Sequence, residues 1–254
     1  MNAVLIAQNT FREATRDRVL AGMVVAGLVL LALTQVARPL AMGEGLRLTV
    51  DLGLTSITFL GLMVILLVGT SLVAKEIERR TIFNLLSRPV PRSVYLLGKW
   101  AGLSASLWTV AGVLGLSLWV LVSLLGHPGH ALAILQAVYL EGLELTLVTA
   151  LAVMFSALST PVLSALYTAG LFLAGQWCDD LRTFALRSPG TLKPMLQVIA
   201  DLLPNLTLFN MRTLASAGEL TSPAHLGLAT LYALVYCGCV LALGAAALES
   251  RDFR

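Results

Sequence analysis

Charge is what this sequence has least of. Only 12% of its 254 residues are Asp, Glu, Lys or Arg, where a soluble globular domain carries about 25%. With 57% hydrophobic residues and a mean hydropathy of +0.86, the chain is not an ordinary water-soluble enzyme. Nor is it disordered, which needs low hydrophobicity and high net charge. Three histidines and three cysteines leave little from which to build a metal centre. Cys178, Cys237 and Cys239 make no disulfide framework and no C-x-x-C pair. Cys237-Gly238-Cys239 lies in an apolar run and reads as small packing residues. A net charge of +3, with no basic run interleaved with aromatics, gives no reason to expect a nucleic-acid partner. The N-terminus does not read as a cleaved signal either, since the apolar stretch after Arg18 reaches Ala37 without an A-x-A site.

What the sequence has instead is long stretches without charge: 19–37, 52–74, 100–140, 145–178 and 220–248. A helix crossing a bilayer needs about 20 apolar residues. His127-Pro128-Gly129-His130 has turn composition and divides the third stretch. Ser159-Thr160-Pro161 divides the fourth, whose 34 residues would rise about 51 Å as one helix. The expectation is a single all-α membrane domain over 1–254 with six transmembrane helices, near 19–38, 54–74, 101–126, 135–158, 162–178 and 224–247.

The basic residues orient it. Arg12, Arg16, Arg18, Lys75, Arg79, Arg80, Arg88, Arg92, Lys99, Arg251 and Arg254 fall on the side reached after an even number of crossings. Arg38, Arg47, Arg182, Arg187, Lys193 and Arg212 fall on the other. Positive-inside counting puts both termini and the 75–100 loop in the cytoplasm of a multi-pass protein.

Before the first span, residues 2–17 read as an amphipathic interfacial helix. Ala3, Val4, Ala7, Phe11 and Ala14 share one arc, Asn9, Arg12, Glu13, Arg16 and Asp17 the opposite one, and Leu5 and Ile6 break the pattern. A plain cytoplasmic cap on the first span is the other reading. In the 75–100 loop, a charge cluster (Lys75, Glu76, Glu78, Arg79, Arg80) leads into Ile82, Phe83, Leu85 and Leu86 at helical spacing. It stops at Pro89 and Pro91, which cannot continue a helix. Such a short helix with an apolar face suits a groove on another protein, or else lies on the membrane.

The run KEIERRTIFNLLSRPVPRSVYLLGKWAG resembles the cytoplasmic loop of permeases of type-2 ATP-binding-cassette exporters. NTFREATRDRVL, LPNLTLFNMR and the ending ESRDFR are similar to the same family, nearest the branch containing the permease for copper-centre maturation of nitrous oxide reductase. The resemblance implies that 1–18 is a connecting helix and that 77–88 is a coupling helix docking on a separate ATPase. The matching positions are Glu76, Glu78, Thr81, Leu85, Leu86, Pro89 and Arg92, and Arg79-Arg80 stands where the family often has a smaller residue. It also implies a bacterial inner membrane, a second copy of the permease, two ATPase subunits that use ATP and Mg, and room for an extracytoplasmic accessory protein.

The chain itself has no G-x-x-x-x-G-K-[ST] loop: Gly98-Lys99 has Ser93 at the first Gly position and Trp100 after the Lys. ATP hydrolysis therefore belongs to a partner, and no cofactor is expected on this chain. An intramembrane hydrolase is disfavoured, with every histidine (His127, His130, His225) at a span end and no H-E-x-x-H. Glu141 and Glu144 are the carboxylates within the apolar spans, three residues apart and so on one helix face. They read either as lining or gating a translocation route, or as packing groups. The 179–223 loop is too apolar for a free loop and too interrupted by Pro189, Pro194, Pro204 and Pro223 to span, which suits re-entrant or interfacial helices. Asn205-Leu206-Thr207 matches a glycosylation sequon by chance. The cargo stays open between an amphiphilic, lipid-like or peptide species and the sulfur-containing species that the resemblance suggests. A membrane anchor or scaffold without transport of its own is the second functional reading.

Overall fold

The computed structural model describes residues 3–72, 91–187 and 192–250. Every described element is helical: α1 (Ala3–Arg16), α2 (Arg18–Ala37), α3 (Gly45–Leu67), α4 (Arg92–Leu124), α5 (Ala131–Leu158), α6 (Pro161–Gln176), α7 (Cys178–Arg187), α8 (Leu192–Leu202), α9 (Arg212–Ala217) and α10 (Pro223–Ser250). Short 3-10 turns lie at Arg38–Ala41, Gly69–Ser71, Pro128–His130 and Thr207–Phe209.

Five segments among the described residues are long and apolar enough to cross a membrane: Arg18–Ala37, Gly45–Ser71, Arg92–Leu124, Pro128–Leu158 and Pro223–Glu249. They overrun the charge-free stretches. α3 starts at Gly45 and so carries Arg47 and Asp51, and α4 starts at Arg92 and carries Lys99. A charge at a helix end need not break the helix when its head can reach an interface. The expected span 162–178 corresponds to α6, whose 16 residues rise about 24 Å against a hydrocarbon core of about 30 Å.

Close helix approach rests on small residues, as in membrane bundles generally. A Cβ on Gly27 would lie 2.6 Å from Leu114, one on Gly53 2.6 Å from Leu118, one on Gly61 2.6 Å from Leu145 and one on Gly115 2.7 Å from Val138. These contacts lock α2, α3, α4 and α5 together, and α5 is the most buried of the five candidate spans. α2 instead turns Val25, Val29, Leu33 and Val36 outward.

The bundle has two ends. α1, the start of α4 and the Ser159-Thr160 turn share one, called here the N-terminal face. The Pro128–His130 turn, the start of α3 and α9 share the other, the loop face. α1 packs along α4 mainly through residues beside the apolar arc that the sequence pattern assigns to lipid. Ile6, Thr10 and Ala14 are its buried residues, while Val4 is 64% exposed. The physical reason is α4's glycines. A Cβ on Gly98 would sit 2.6 Å from Ile6, and one on Gly102 2.5 Å from the Ala7 carbonyl and 2.7 Å from Thr10. Ile6, which breaks the lipid-facing pattern, is therefore the residue that docks. Asp17 then separates α1 from α2 and caps it, accepting from the Val19 N–H at 3.0 Å. Replacing Gly102 with Leu is expected to push α1 off α4 at a cost of about 1–3 kcal/mol. Faster backbone hydrogen exchange over α1, with the remaining helices unchanged, is the readout; unchanged exchange in α1 contradicts this packing.

Cys237 is buried against α5, its Sγ 3.8 Å from the Thr146 carbonyl, and Cys178 is buried with its Sγ 3.3 Å from the Ala200 carbonyl. Cys239 is exposed, which corrects its reading as a packing residue: two positions along a helix turn a side chain to the far side.

Candidate functional site

Charged groups inside an apolar bundle show where its chemistry is, because an ionisable group at membrane depth must find a partner, a cavity or water. α5 places Glu141 and Glu144 one turn apart, 2% and 1% exposed. The loop segment that follows α8 brings the partner. At the first position of α9, Arg212 reaches across to two helices at once. Its Nε donates to Glu141 Oε1 at 3.1 Å, its Nη1 to Thr55 Oγ1 at 3.2 Å and its Nη2 to Thr58 Oγ1 at 2.9 Å. One guanidinium thus ties α9 to α3 and α5, using the fork of donors that makes Arg suited to such sites. The Glu144 carboxylate is held separately: Gln176, the last residue of α6, donates from Nε2 to Glu144 Oε1.

The same loop is pinned at a second place. The Leu206 N–H donates to the Gly175 carbonyl at 3.3 Å, and the Asn205 N–H donates to the Tyr232 hydroxyl at 2.9 Å. Only glycine fits at 175, since a Cβ there would lie 2.7 Å from the Pro204 carbonyl. Leu206 and Phe209 are fully buried. The Asn205 side chain is occupied as well, its Nδ2 3.4 Å from Asp179 Oδ1 and its Oδ1 accepting from Thr207 Oγ1. Within the 179–223 loop, which composition suits to re-entrant or interfacial helices, the segment 203–212 is held against the bundle by these contacts.

At the loop face, α3, the α4–α5 turn and α9 enclose a cleft of about 400 Å³ lined by Glu44, Arg47, His127, Thr213 and Ser216 among others. His127 Nδ1 lies 3.1 Å from the Leu125 carbonyl, and His225 Nε2 lies 2.9 Å from the Leu208 carbonyl. Among the described residues no three His, Cys, Asp or Glu groups are placed to hold a metal ion.

Of the expected ATPase-docking residues, Glu76, Glu78, Arg79, Arg80, Thr81, Phe83, Leu85, Leu86 and Pro89 lie outside the described residues. Arg92 is described: at the start of α4, its Nη1 donates to the Leu248 carbonyl near the end of α10. Lys99 is nearly buried, its Nζ 5.9 Å from the centroid of the Tyr95 ring. The sequence singled out Glu141 and Glu144 but not their partners. Arg212 and Gln176, which donate to them, are 71 and 32 positions away, and Thr55 and Thr58, which accept from Arg212, are 86 and 83 positions from Glu141, with no short-range pattern to link them. The one signal was a basic residue in an otherwise apolar loop segment.

Five helices long and apolar enough to cross a membrane, with a buried Arg212–Glu141 ion pair between two of them and the loop segment, define a multi-pass membrane protein. The chain belongs to the ABC-2 family of transporter proteins, whose family model matches residues 4–252. It is therefore a permease component of an ABC transporter; such permeases are the membrane component and not the ATPase, and they generally work with a cytoplasmic ABC ATPase. No curated protein matches the chain.

Proposed function

We propose that this chain is the permease subunit of an ATP-driven exporter, coupling hydrolysis by a separate ATPase to movement of a substrate across the plasma membrane. The observation that carries the proposal is the family match over 4–252, to which the absence of any phosphate-cradling loop in the sequence adds the need for a partner. Two copies of the chain work with two ATPase subunits, by the preference of oligomers for closed symmetry. The N-terminal face and both termini are cytoplasmic, as the Lys and Arg distribution favours. α6 is the fifth of six crossings, its short length supplemented by the 204–209 segment that folds against its end. The 77–88 coupling helix enters a groove on the ATPase, with Phe83 and Leu86 as anchors and Glu76, Glu78 and Arg80 setting register. ATP and Mg are bound by the partner, and this chain holds no cofactor. Within the family, the branch serving copper-centre maturation of nitrous oxide reductase is the nearest by the sequence runs quoted above. An extracytoplasmic accessory protein would meet the loop face.

Glu141 and Glu144 are proposed to act on the translocation route from the bundle interior. Glu144→Gln keeps shape and an acceptor for Gln176 while removing charge. It is expected to alter substrate-stimulated ATP hydrolysis while leaving assembly intact, and stimulation equal to the parent would assign Glu144 to packing. The whole reading is tested by co-purification: the tagged chain should bring down a nucleotide-binding subunit encoded beside it. Recovery of a stable chain without such a subunit, and with no neighbouring ATPase gene, contradicts it.

A further inference from the structure

One polar surface of the bundle is not explained by packing. Arg47, Asp51 and Thr55 recur every four residues along α3, with Thr58 three further on, so all four share one face. Arg47 and Thr55 are exposed, Asp51 is half-buried and Thr58 is buried. Arg212 of α9 lies over the lower part of this face, hydrogen-bonded to Thr55 and Thr58, with 24% of its side chain still exposed. The upper end opens into the cleft bounded by Glu44, Arg47, His127, Thr213 and Ser216.

Depth makes this surface unusual. Thr55 and Thr58 stand about 15 and 20 Å from the start of α3. The whole helical segment Gly45–Ser71 is about 40 Å long and must cross a core of about 30 Å. Even if all the excess length lies at the loop face, Thr58 is about 10 Å inside the hydrocarbon. A guanidinium exposed at that depth cannot face acyl chains; such groups face a water-filled cavity or another protein. A second observation points to water. Glu141 Oε2, at the inner end of the same seam, is buried with no hydrogen-bond partner among the described residues, and a buried carboxylate oxygen without a donor is costly unless a water supplies one.

We infer that the seam between α3 and α9 is a hydrated polar track running from the loop-face cleft to Glu141, along which the polar end of the cargo passes. The inference rests on the permease reading and names the part of the chain that meets the cargo. The track holds the carboxylates of Glu44, Asp51 and Glu141 against the guanidiniums of Arg47 and Arg212. The excess is negative, so the track suits a cationic polar group better than an anionic one.

The test is thiol accessibility in the assembled complex, in a chain whose Cys178, Cys237 and Cys239 are replaced by Ala. Thr55→Cys leaves the Arg212–Glu141 pair in place. Leu116→Cys, on the exposed apolar face of α4 eight residues from its loop-face end, is the control at similar depth. A thiol reacts as thiolate, which forms in water and not in hydrocarbon. A membrane-impermeant cationic methanethiosulfonate added from the loop-face side is expected to label Thr55→Cys roughly tenfold faster than Leu116→Cys, and faster than its anionic counterpart does, because three carboxylates against two guanidiniums leave a net negative field along the track. Labelling of Thr55→Cys no faster than of Leu116→Cys overturns the track, and faster labelling by the anionic reagent overturns its cationic preference. Should Thr55→Cys fail to assemble, Asp51→Cys one turn nearer the cleft is compared with the same control, with the same two outcomes for hydration. Because labelling is read in a complex that already contains the ATPase, its failure leaves the permease reading standing, whereas failure of co-purification removes both.

Discussion

Arg212→Ala is expected to destabilise the protein by roughly 3–5 kcal/mol, the cost typical of leaving one member of a buried ion pair alone. The loss exceeds that of an ordinary surface ion pair for two reasons. Glu141, 2% exposed, would keep its desolvation while losing its one charged partner. α9 would also lose its hydrogen bonds to Thr55 and Thr58 on α3. The reciprocal change, Glu141→Ala, is expected to cost less, since the guanidinium keeps Thr55 and Thr58 and is 24% exposed. Removing both charges together, as Arg212→Met with Glu141→Leu, should recover most of the loss, since well-packed apolar side chains often replace a buried ion pair without penalty. Unfolding midpoints of the purified protein in mixed detergent micelles give the comparison. An Arg212→Ala midpoint equal to the parent's, or a double variant no better than either single one, means that the pair does not hold the loop segment in place.

The second large effect belongs to the proposed docking loop, 75–100. Interface energy gathers in a few buried aromatic and aliphatic anchors, each worth about 2 kcal/mol or more, while rim charges set orientation. Phe83→Ala is therefore expected to weaken ATPase binding by roughly thirtyfold, and Leu86→Ala to act in the same direction, with membrane insertion intact in both. Changing Glu76, Glu78 or Arg80 should alter the salt dependence of association more than its strength. Affinity of the solubilised permease for its ATPase is the quantity to measure. Binding by Phe83→Ala equal to that of the parent removes the 77–88 segment from the contact.

The five helices long and apolar enough to cross a membrane were legible because membrane crossing is written in composition. Scarce charge, apolar runs of about 20 residues and breaks at Pro and Gly mark the helices directly. Helix ends were less legible, since Arg47, Asp51 and Lys99 are carried on helices that a charge-free criterion cuts short. The side of α1 that packs on the bundle was not legible, because amphipathicity measures preference for lipid, whereas Gly98 and Gly102 on another helix decide which side of α1 packs. Glu141 and Glu144 stood out in an apolar run. Their partners did not, because the link from Arg212 to Glu141 runs across 71 positions and depends on the fold of the 203–212 segment.

Coupling is the central claim, and the rate of ATP hydrolysis by the partner ATPase tests it most directly. The ATPase is measured alone, in proteoliposomes with this chain, and in proteoliposomes with the Phe83→Ala, Leu86→Ala double variant. A permease that drives and is driven by its ATPase changes that rate when it is present, and the change is lost in the double variant. A rate identical in all three preparations, with the complex intact, would make the chain an anchor for the ATPase and contradict its role as a transporter subunit.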